Sequence, residues 1–166
     1  FEELNIIPMS ISYEIEPCDI LKAREIVISR TQKYVKAPGE DWNSIMVGIM
    51  QQKGNIHLHI GEPLTSEEIA AAAQCDKNDR YQLIRAAVDK RVVEGYKLWP
   101  NNYLAYDILH ATDKYAENYT AEDKAKFLAY MEHQLGTVEP EINRDELKEV
   151  FLGIYANPVR SKEELA

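Results

Sequence analysis

Two short segments near the start of the chain alternate between apolar and polar residues. The first is Ile6–Glu14, whose polar side carries two serines, and the second is Asn55–Gly61, whose polar side carries two histidines. A period of two is that of a half-buried strand, in which residues i and i+2 share a face. We therefore predict two strands, each with its apolar side turned toward a core. The apolar residues concerned are Ile7, Met9, Ile11, Tyr13, Ile56, Leu58 and Ile60.

A period of 3.6 predicts helices over most of the remaining sequence. Between the strands we expect the helices Asp19–Tyr34 and Glu40–Gln52, although Ile26 and Ile28 in the first of these would also suit a strand. In the second of these, five apolar residues recur at i, i+3, i+4, i+7 and i+8, which predicts one buried helical face able to cover the strands. These five residues are Trp42, Ile45, Met46, Ile49 and Met50.

After the second strand the pattern is helical to the end of the chain. Thr65 and Glu68 form a capping box, in which a hydroxyl at the helix start pairs with a carboxylate three residues later. Pro158 is expected to limit the last helix, because proline has no backbone N–H to donate. The predicted helices are Thr65–Cys75, Asp79–Trp99, Asn102–Asn118, Thr120–Leu135 and Asn143–Tyr155. The fold class is therefore α+β, predominantly helical, with a small sheet near the N-terminus.

Composition removes several classes of function. The chain has 166 residues, of which 45% are hydrophobic and 28% charged, as in an ordinary globular protein. Its formal net charge of −9 argues against a nucleic-acid partner, since domains that bind nucleic acids present a basic face. The apolar runs are too short to span a bilayer. Cys18 and Cys75 stand far apart and outside any CxxC pattern, which indicates a reduced, cytoplasmic setting without a structural disulfide.

Five basic residues lie close together between residues 22 and 36. They are Lys22, Arg24, Arg30, Lys33 and Lys36. Such a basic segment is either a solvated face or a surface that meets anionic lipid or a phosphorylated substrate. The sequence leaves both interpretations open.

The two strand segments also carry a resemblance. Asn5–Ile11, which reads Asn-Ile-Ile-Pro-Met-Ser-Ile, resembles the fourth motif of the bacterial glycerol-phosphate and lysophosphatidate acyltransferases. Ile56–Leu64 is similar to the strand that closes the catalytic domain of that family and runs into Gly-x-Pro. Thr65–Ala73 matches the capped, Glu- and Ala-rich helix that follows there, and Pro38–Asp41 is similar to members from anaerobic gut-type bacteria. The resemblance covers about residues 4 to 75.

The resemblance implies a fold, an activity and a location. Residues 1–75 would be the C-terminal part of the catalytic domain, with the small sheet as a remnant of a larger one, and residues 76–166 a helical extension packed on it. The enzyme would move a fatty acyl group from acyl carrier protein or acyl-CoA to a lysophospholipid acceptor in phospholipid synthesis, without a cofactor. Ile7, Pro8 and Met9 would bind substrate by forming an apolar wall. The protein would be cytoplasmic and peripheral to the inner membrane.

Two elements of the family are missing from the sequence. The reaction needs His-x4-Asp, in which the aspartate orients a histidine that takes the proton of the acceptor hydroxyl. None of the four histidines has aspartate five residues later, and the phosphate-binding Phe-Pro-Glu-Gly-Thr-Arg is absent. Both lie upstream of the proline motif in the family, and the chain begins at Phe1 rather than methionine. We therefore expect a part of a longer protein, with no catalytic residue of its own and inactive alone. The alternative is a non-enzymatic helical interaction domain.

Other candidate sites have simpler explanations. His57 and His59 share one side of a strand and could hold two ligands of a zinc ion, but no third ligand is near in sequence, so no metal is predicted. Ser10 and Ser12 lack a Gly-x-Ser-x-Gly elbow and are interpreted as small residues that allow close packing. A sheet of two strands leaves edges open, which predicts a homo-oligomer formed through an exposed edge.

Overall fold

The computed structural model describes residues 5–165 and confirms an α+β fold that is predominantly helical. Within that range two antiparallel strands and seven α-helices are present. In chain order the elements are β1 (Met9–Tyr13), α1 (Asp19–Thr31), α2 (Glu40–Met50), β2 (Ile56–Ile60), α3 (Ser66–Ala73), α4 (Lys77–Gly95), α5 (Pro100–His110), α6 (Ala121–Leu135) and α7 (Arg144–Leu165), with a short 3-10 turn at Ala116–Asn118 before α6. Most of the predicted elements are thus present with shifted ends.

The chain forms two compact units, each assembled from separate stretches of sequence. The sheet unit contains residues 5–12, 56–97 and 161–165, and the helical unit contains residues 13–55 and 98–160. Helices α3 and α4, on either side of residue 75, belong to the same unit. The predicted boundary at residue 75, between a catalytic-domain part and a helical extension, follows from the extent of the family resemblance. It stays a prediction.

One proline lies inside the last helix and another begins α5. Pro158 was expected to limit the last helix, but α7 continues through it to Leu165, so that expectation is wrong. The helix loses the hydrogen bond to the carbonyl of Ile154, at a cost of about 3 kcal/mol. Burial of the next residue, Val159, which is 1% exposed, favours continuation. Pro100 begins α5, at the first-turn position that needs no N–H donor, and α4 ends before it at Gly95.

The core of the helical unit lies between α1, α5, α6 and α7. Its buried apolar residues include Ile20, Ala23, Val27, Leu104, Phe127, Met131, Leu147, Phe151 and Tyr155. A carboxylate is buried at its centre: Asp19 is fully buried and accepts hydrogen bonds from the hydroxyls of Tyr155 (2.6 Å) and Tyr130 (2.8 Å). The amides of Gln51 and Gln134 donate in turn to the Tyr130 hydroxyl, at 3.0 and 2.8 Å. A polar network therefore ties α1 to α6 and α7.

We expect this network to make the protein sensitive to alkali. Burial, together with the nearby Asp19 charge, raises the pKa of both Tyr155 and Tyr130 well above its usual range. Below about pH 10 these tyrosines are neutral whether the chain is folded or unfolded, so their contribution is intact. Above it the unfolded chain releases protons that the folded chain keeps, and stability falls by up to about 1.4 kcal/mol per pH unit for each tyrosine. Urea denaturation at increasing pH measures the slope. An equal slope in Tyr155→Phe would contradict the assignment.

The sheet unit has a smaller core in which α3 packs on α4. Leu64, Ile69 and Ala72 are buried there. The predicted capping box is confirmed, since the Glu68 N–H donates to the Thr65 hydroxyl (3.2 Å) and the Thr65 N–H donates to the Glu68 carboxylate (2.7 Å).

Helix α2 has the predicted periodicity, but its apolar side faces solvent and its polar side faces the helical unit. None of its residues is buried, and the five apolar residues expected to form a buried face are exposed. The prediction of a buried, strand-covering face is therefore wrong. Small and polar residues, Ser44, Gly48 and Gln51, make its contacts within the helical unit. Among residues 5–165, no helix combines the length and apolar content needed to cross a membrane.

Candidate functional site

The segment Asn5–Ile11, which contains Pro8, leads into a two-stranded sheet that has one side exposed to solvent. The N–H of Gly61 donates to the carbonyl of Pro8 (2.9 Å), and the N–H of Glu14 donates to the carbonyl of Asn55 (3.0 Å). In antiparallel pairing this register puts Met9 opposite Ile60 and Ile11 opposite Leu58 on one side of the sheet. We call this side the open sheet face, and its residues are Ile7, Met9, Ile11, Ile56, Leu58 and Ile60.

The open sheet face is apolar and uncovered. Its six side chains are between 49% and 63% exposed. Six apolar side chains about half exposed form a patch on the order of 500 Å², a size that often marks a binding surface on a soluble protein. The sequence predicted these residues to face a core, and that prediction is wrong.

The covered side of the sheet is the polar one. Ser10 and Ser12 are 6% and 9% exposed, and the Ser12 hydroxyl accepts a hydrogen bond from the N–H of Lys97 at 2.9 Å. On β2, Nε2 of His57 lies 3.3 Å from the carbonyl oxygen of Gly95, the last residue of α4. The sheet is therefore attached to its unit through small and polar side chains. Alternation alone identified the two sides correctly but assigned the core to the wrong one.

Close approach of α4 to the sheet depends on glycine. A Cβ atom on Gly95 would lie 2.1 Å from Cδ2 of His59. The ring of His59 is stacked on His57, with 6.5 Å between ring centroids and 16° between planes. The two imidazoles are thus nearly parallel, and both lie close to Gly95 at the C-terminal end of α4.

Gly95→Ala is expected to destabilise the protein by about 1–3 kcal/mol, because the His59 ring has to move. Gly153→Ala is the matched control, since a Cβ there meets nothing within 4 Å and lies inside α7. Alanine at that helical position is expected to be neutral or to stabilise by up to about 1 kcal/mol. Urea denaturation of both variants measures the difference, and equal stability of the two would contradict the contact.

The three residues predicted to bind substrate are placed on different sides of the sheet. Ile7 and Met9 belong to the open sheet face, 49% and 55% exposed, whereas the Pro8 side chain is buried. Pro8 serves instead to pair the strands through its carbonyl. The role of Ile7, Pro8 and Met9 as a substrate wall stays a prediction. Ile11, Ile56, Leu58 and Ile60 share this surface as the alternation predicted, but they are exposed and do not face a core.

A histidine that acts as a general base in a His-x4-Asp motif needs an aspartate to orient its imidazole. Among residues 5–165, no histidine is hydrogen-bonded or ion-paired to an aspartate or glutamate. His110 instead packs on the Tyr106 ring, with 4.4 Å between centroids. In the same range no group of three His, Cys, Asp or Glu side chains is placed to hold a metal ion. The hydroxyl of Ser10 is buried and has no hydrogen-bond partner among these residues, so no base contacts it.

A charged cavity of about 330 Å³ lies beside the covered side of the sheet. Its lining residues are His59, Gly61, Glu62, Glu68, Lys90, Arg91 and Glu94. Arg91 forms a two-pronged ion pair with Glu68, at 2.8 and 3.0 Å, which lowers the pKa of that carboxyl. Lys90 lies 3.8 Å from Glu94. Opposite charges therefore pair within the cavity, which favours a structural role over recognition of an anion.

Most cations of the basic segment between residues 22 and 36 also form ion pairs with carboxylates. Arg24 holds Glu139 by two hydrogen bonds (2.7 and 2.9 Å) that lower the pKa of Glu139 to about 2. The other contacts are Lys22 with Glu16, Arg30 with Glu146 and Glu149, and Lys36 with Asp41. Four of the five cations thus have carboxylate partners, which favours the interpretation as a solvated face.

Comparison with known proteins identifies no matching family model, no matching curated protein and no matching solved structure.

Proposed function

We propose that the chain is the C-terminal part of a bacterial glycerolipid acyltransferase and that its open sheet face forms an apolar wall of the acyl-binding region. The open sheet face is the observation that carries the proposal. It exposes six apolar side chains on the strands that bear the family-like motifs, while the polar side of the same strands is covered. A fatty acyl chain, or the apolar interior of a catalytic domain, has the chemistry that such a surface buries favourably.

The proposed reaction follows from the resemblance of the sequence. An acyl group passes from the thioester of acyl carrier protein or coenzyme A to the hydroxyl of a lysophospholipid. A longer parent protein supplies the histidine–aspartate pair and the phosphate-binding element, since the described histidines have no carboxylate partner. In this proposal the protein is cytoplasmic and touches the inner membrane peripherally, where its lipid substrate lies.

A helical interaction domain without enzymatic activity is the second candidate. The lack of a carboxylate partner at the histidines favours this candidate, because no histidine among residues 5–165 is paired with an orienting acid. In that case the open sheet face binds a protein. The parent gene discriminates the two: His-x4-Asp followed by Phe-Pro-Glu-Gly within about 150 residues upstream, on the order of one domain, supports the enzyme.

Acyl transfer to lysophosphatidate tests the proposal directly. We expect residues 1–166 alone to give no turnover above the uncatalysed rate, and the parent protein to be active. In the parent, Met9→Asp is expected to lower acyl transfer about 100-fold, since a carboxylate placed against an acyl chain loses its hydration. Radiolabelled acyl thioester and product separation measure both rates.

Ile26→Asp in the parent is the matched control for that assay. Ile26 is an apolar residue of α1 that is 44% exposed, so the same charge is added away from the open sheet face. Its activity is expected to equal that of the unmodified parent. Turnover by residues 1–166 that is lost on replacing His57 or His59 would contradict the proposal, as would equal activity of the Met9 and Ile26 variants.

A further inference from the structure

Helix α2 presents an apolar stripe to solvent along its whole length. The stripe consists of Trp42, Ile45, Met46, Ile49 and Met50, which we call the α2 stripe. At 100° per residue these side chains occupy an arc of roughly 140°, the width of a complete hydrophobic face. Their exposed fractions run from 39% for Met46 to 75% for Met50, and Val35, just before the helix, is 76% exposed. An entire amphipathic face is therefore open.

The opposite side of α2 attaches the helix to its unit. The carbonyl of Ser44 accepts a hydrogen bond from the Cys18 thiol (3.3 Å), and a Cβ on Gly48 would lie 3.3 Å from the same sulfur. The side-chain carbonyl of Gln51 accepts from the Cys18 N–H (2.8 Å), and its amide donates to the Tyr130 hydroxyl (3.0 Å). These contacts fix the helix without using the α2 stripe.

The charges around the helix favour an anionic partner. Its two acidic residues are engaged, Asp41 with Lys36 and Glu40 with the Tyr34 hydroxyl. In the sequence Lys33 lies seven residues before the helix and Lys53 three residues after it, and within the described part of the chain neither is paired with a carboxylate. Lys53 donates only to carbonyl oxygens at the end of the helix, of Ile49 (3.2 Å) and Gln51 (2.9 Å). Lys53 thus places a positive charge at the C-terminal end of the α2 stripe.

We propose that the α2 stripe is the membrane-contacting surface of the protein, lying in the interface of a bilayer that contains anionic lipid. This inference rests on the proposed function in one respect, the lipid-bound substrate, and it moves the membrane contact from the largely paired basic segment to α2. A tryptophan at one end, aliphatic residues along one face and flanking lysines are the features of helices that lie in the plane of a membrane. The lysines then meet anionic headgroups, whose attraction is weakened by salt.

The two tryptophans of the chain provide a direct test. Trp42 is 67% exposed, whereas Trp99 is 8% exposed and already shielded from water. Residues 1–166 are mixed with vesicles of phosphatidylcholine and phosphatidylglycerol in equal parts, and the emission spectrum is recorded. We expect a blue shift, quenching by brominated acyl chains, and a weaker response as salt is added or phosphatidylglycerol is omitted. Trp42→Phe is expected to remove the shift.

Paired charge substitutions locate the surface. Ile49→Glu is expected to weaken vesicle partitioning about tenfold or more, whereas Ile26→Glu, which adds the same charge on α1, leaves it unchanged. Ile49 is 65% exposed and Ile26 is 44% exposed, and circular dichroism of each variant checks its folding. Loss of partitioning in Ile11→Glu, which adds a charge to the open sheet face, but not in Ile49→Glu would overturn the inference. So would a Trp42 shift that depends on protein concentration without vesicles, which indicates a second copy as the occupant, or an unshifted spectrum with vesicles. Acyl transfer by the parent to detergent-dispersed lysophosphatidate reports the proposed function separately, since it needs no bilayer.

Discussion

Asp19→Ala is expected to lower the free energy of unfolding by about 3 kcal/mol, measured by urea denaturation. The Asp19 carboxylate is fully buried and is the acceptor for the hydroxyls of both Tyr130 and Tyr155. Alanine leaves two hydroxyl donors without this acceptor, and each unsatisfied buried group costs about 1–3 kcal/mol. Since domains are stable by only about 5–15 kcal/mol, this single change removes a large part of the total.

Tyrosine variants distinguish the loss of the Asp19–tyrosine hydrogen bonds from a general loss of stability. Tyr155→Phe removes one donor and is expected to cost about 1–2 kcal/mol, and combining it with Asp19→Ala is expected to cost less than the sum, because both act on one contact. Tyr81→Phe, at a residue 60% exposed on α4, is the control and is expected to change stability by less than about 0.5 kcal/mol. Unchanged stability of Asp19→Ala would show that the buried carboxylate is not a structural centre.

Local signals in the sequence were sufficient for much of the fold. The capping box at Thr65 is visible because its two partners are three residues apart, and the structure confirms it. Helix periodicity identified α2 and the members of its apolar stripe. By contrast, Asp19 finds its partners 111 and 136 residues later in the chain, and no local pattern specifies such a pairing.

The sequence did not predict correctly which face of a strand or helix is covered. Alternation in β1 and periodicity in α2 identify the residues that share a side, but covering a side depends on what packs there. In β1 the covered side holds Ser10 and Ser12, and in α2 it holds Ser44 and Gly48. Small residues allow the backbone to approach closely, and their hydroxyls and carbonyls accept hydrogen bonds, so both elements are attached by their polar sides. The apolar sides that remain are the two candidate binding surfaces.

Residues 1–166 are expected to associate through the sheet and to sediment above the monomer mass of 19.1 kDa at high protein concentration. In the described part of the chain the sheet has two strands, so each strand has one edge without a ladder partner. The register leaves the N–H and C=O groups of Met9, Ile11 and Leu58 directed at those edges, since these residues form the non-hydrogen-bonded pairs. Backbone hydrogen bonds between copies would satisfy those groups and place open sheet faces side by side.

The association is expected to be weak and to strengthen with salt. A patch on the order of 500 Å² is below the roughly 800 Å² per partner of a standard stable interface, and two copies each carrying a net charge of −9 repel one another at low ionic strength. Ile11→Lys, which places a charge at both the edge and the face, is expected to give a monomer at every salt concentration. Ile26→Lys, the same change on α1 at a residue 44% exposed, is the control and is expected to associate like the unmodified chain. Sedimentation velocity at several salt concentrations measures the mass. A monodisperse monomer in the unmodified chain, or association that survives Ile11→Lys, would show that the sheet edge does not recruit a second copy.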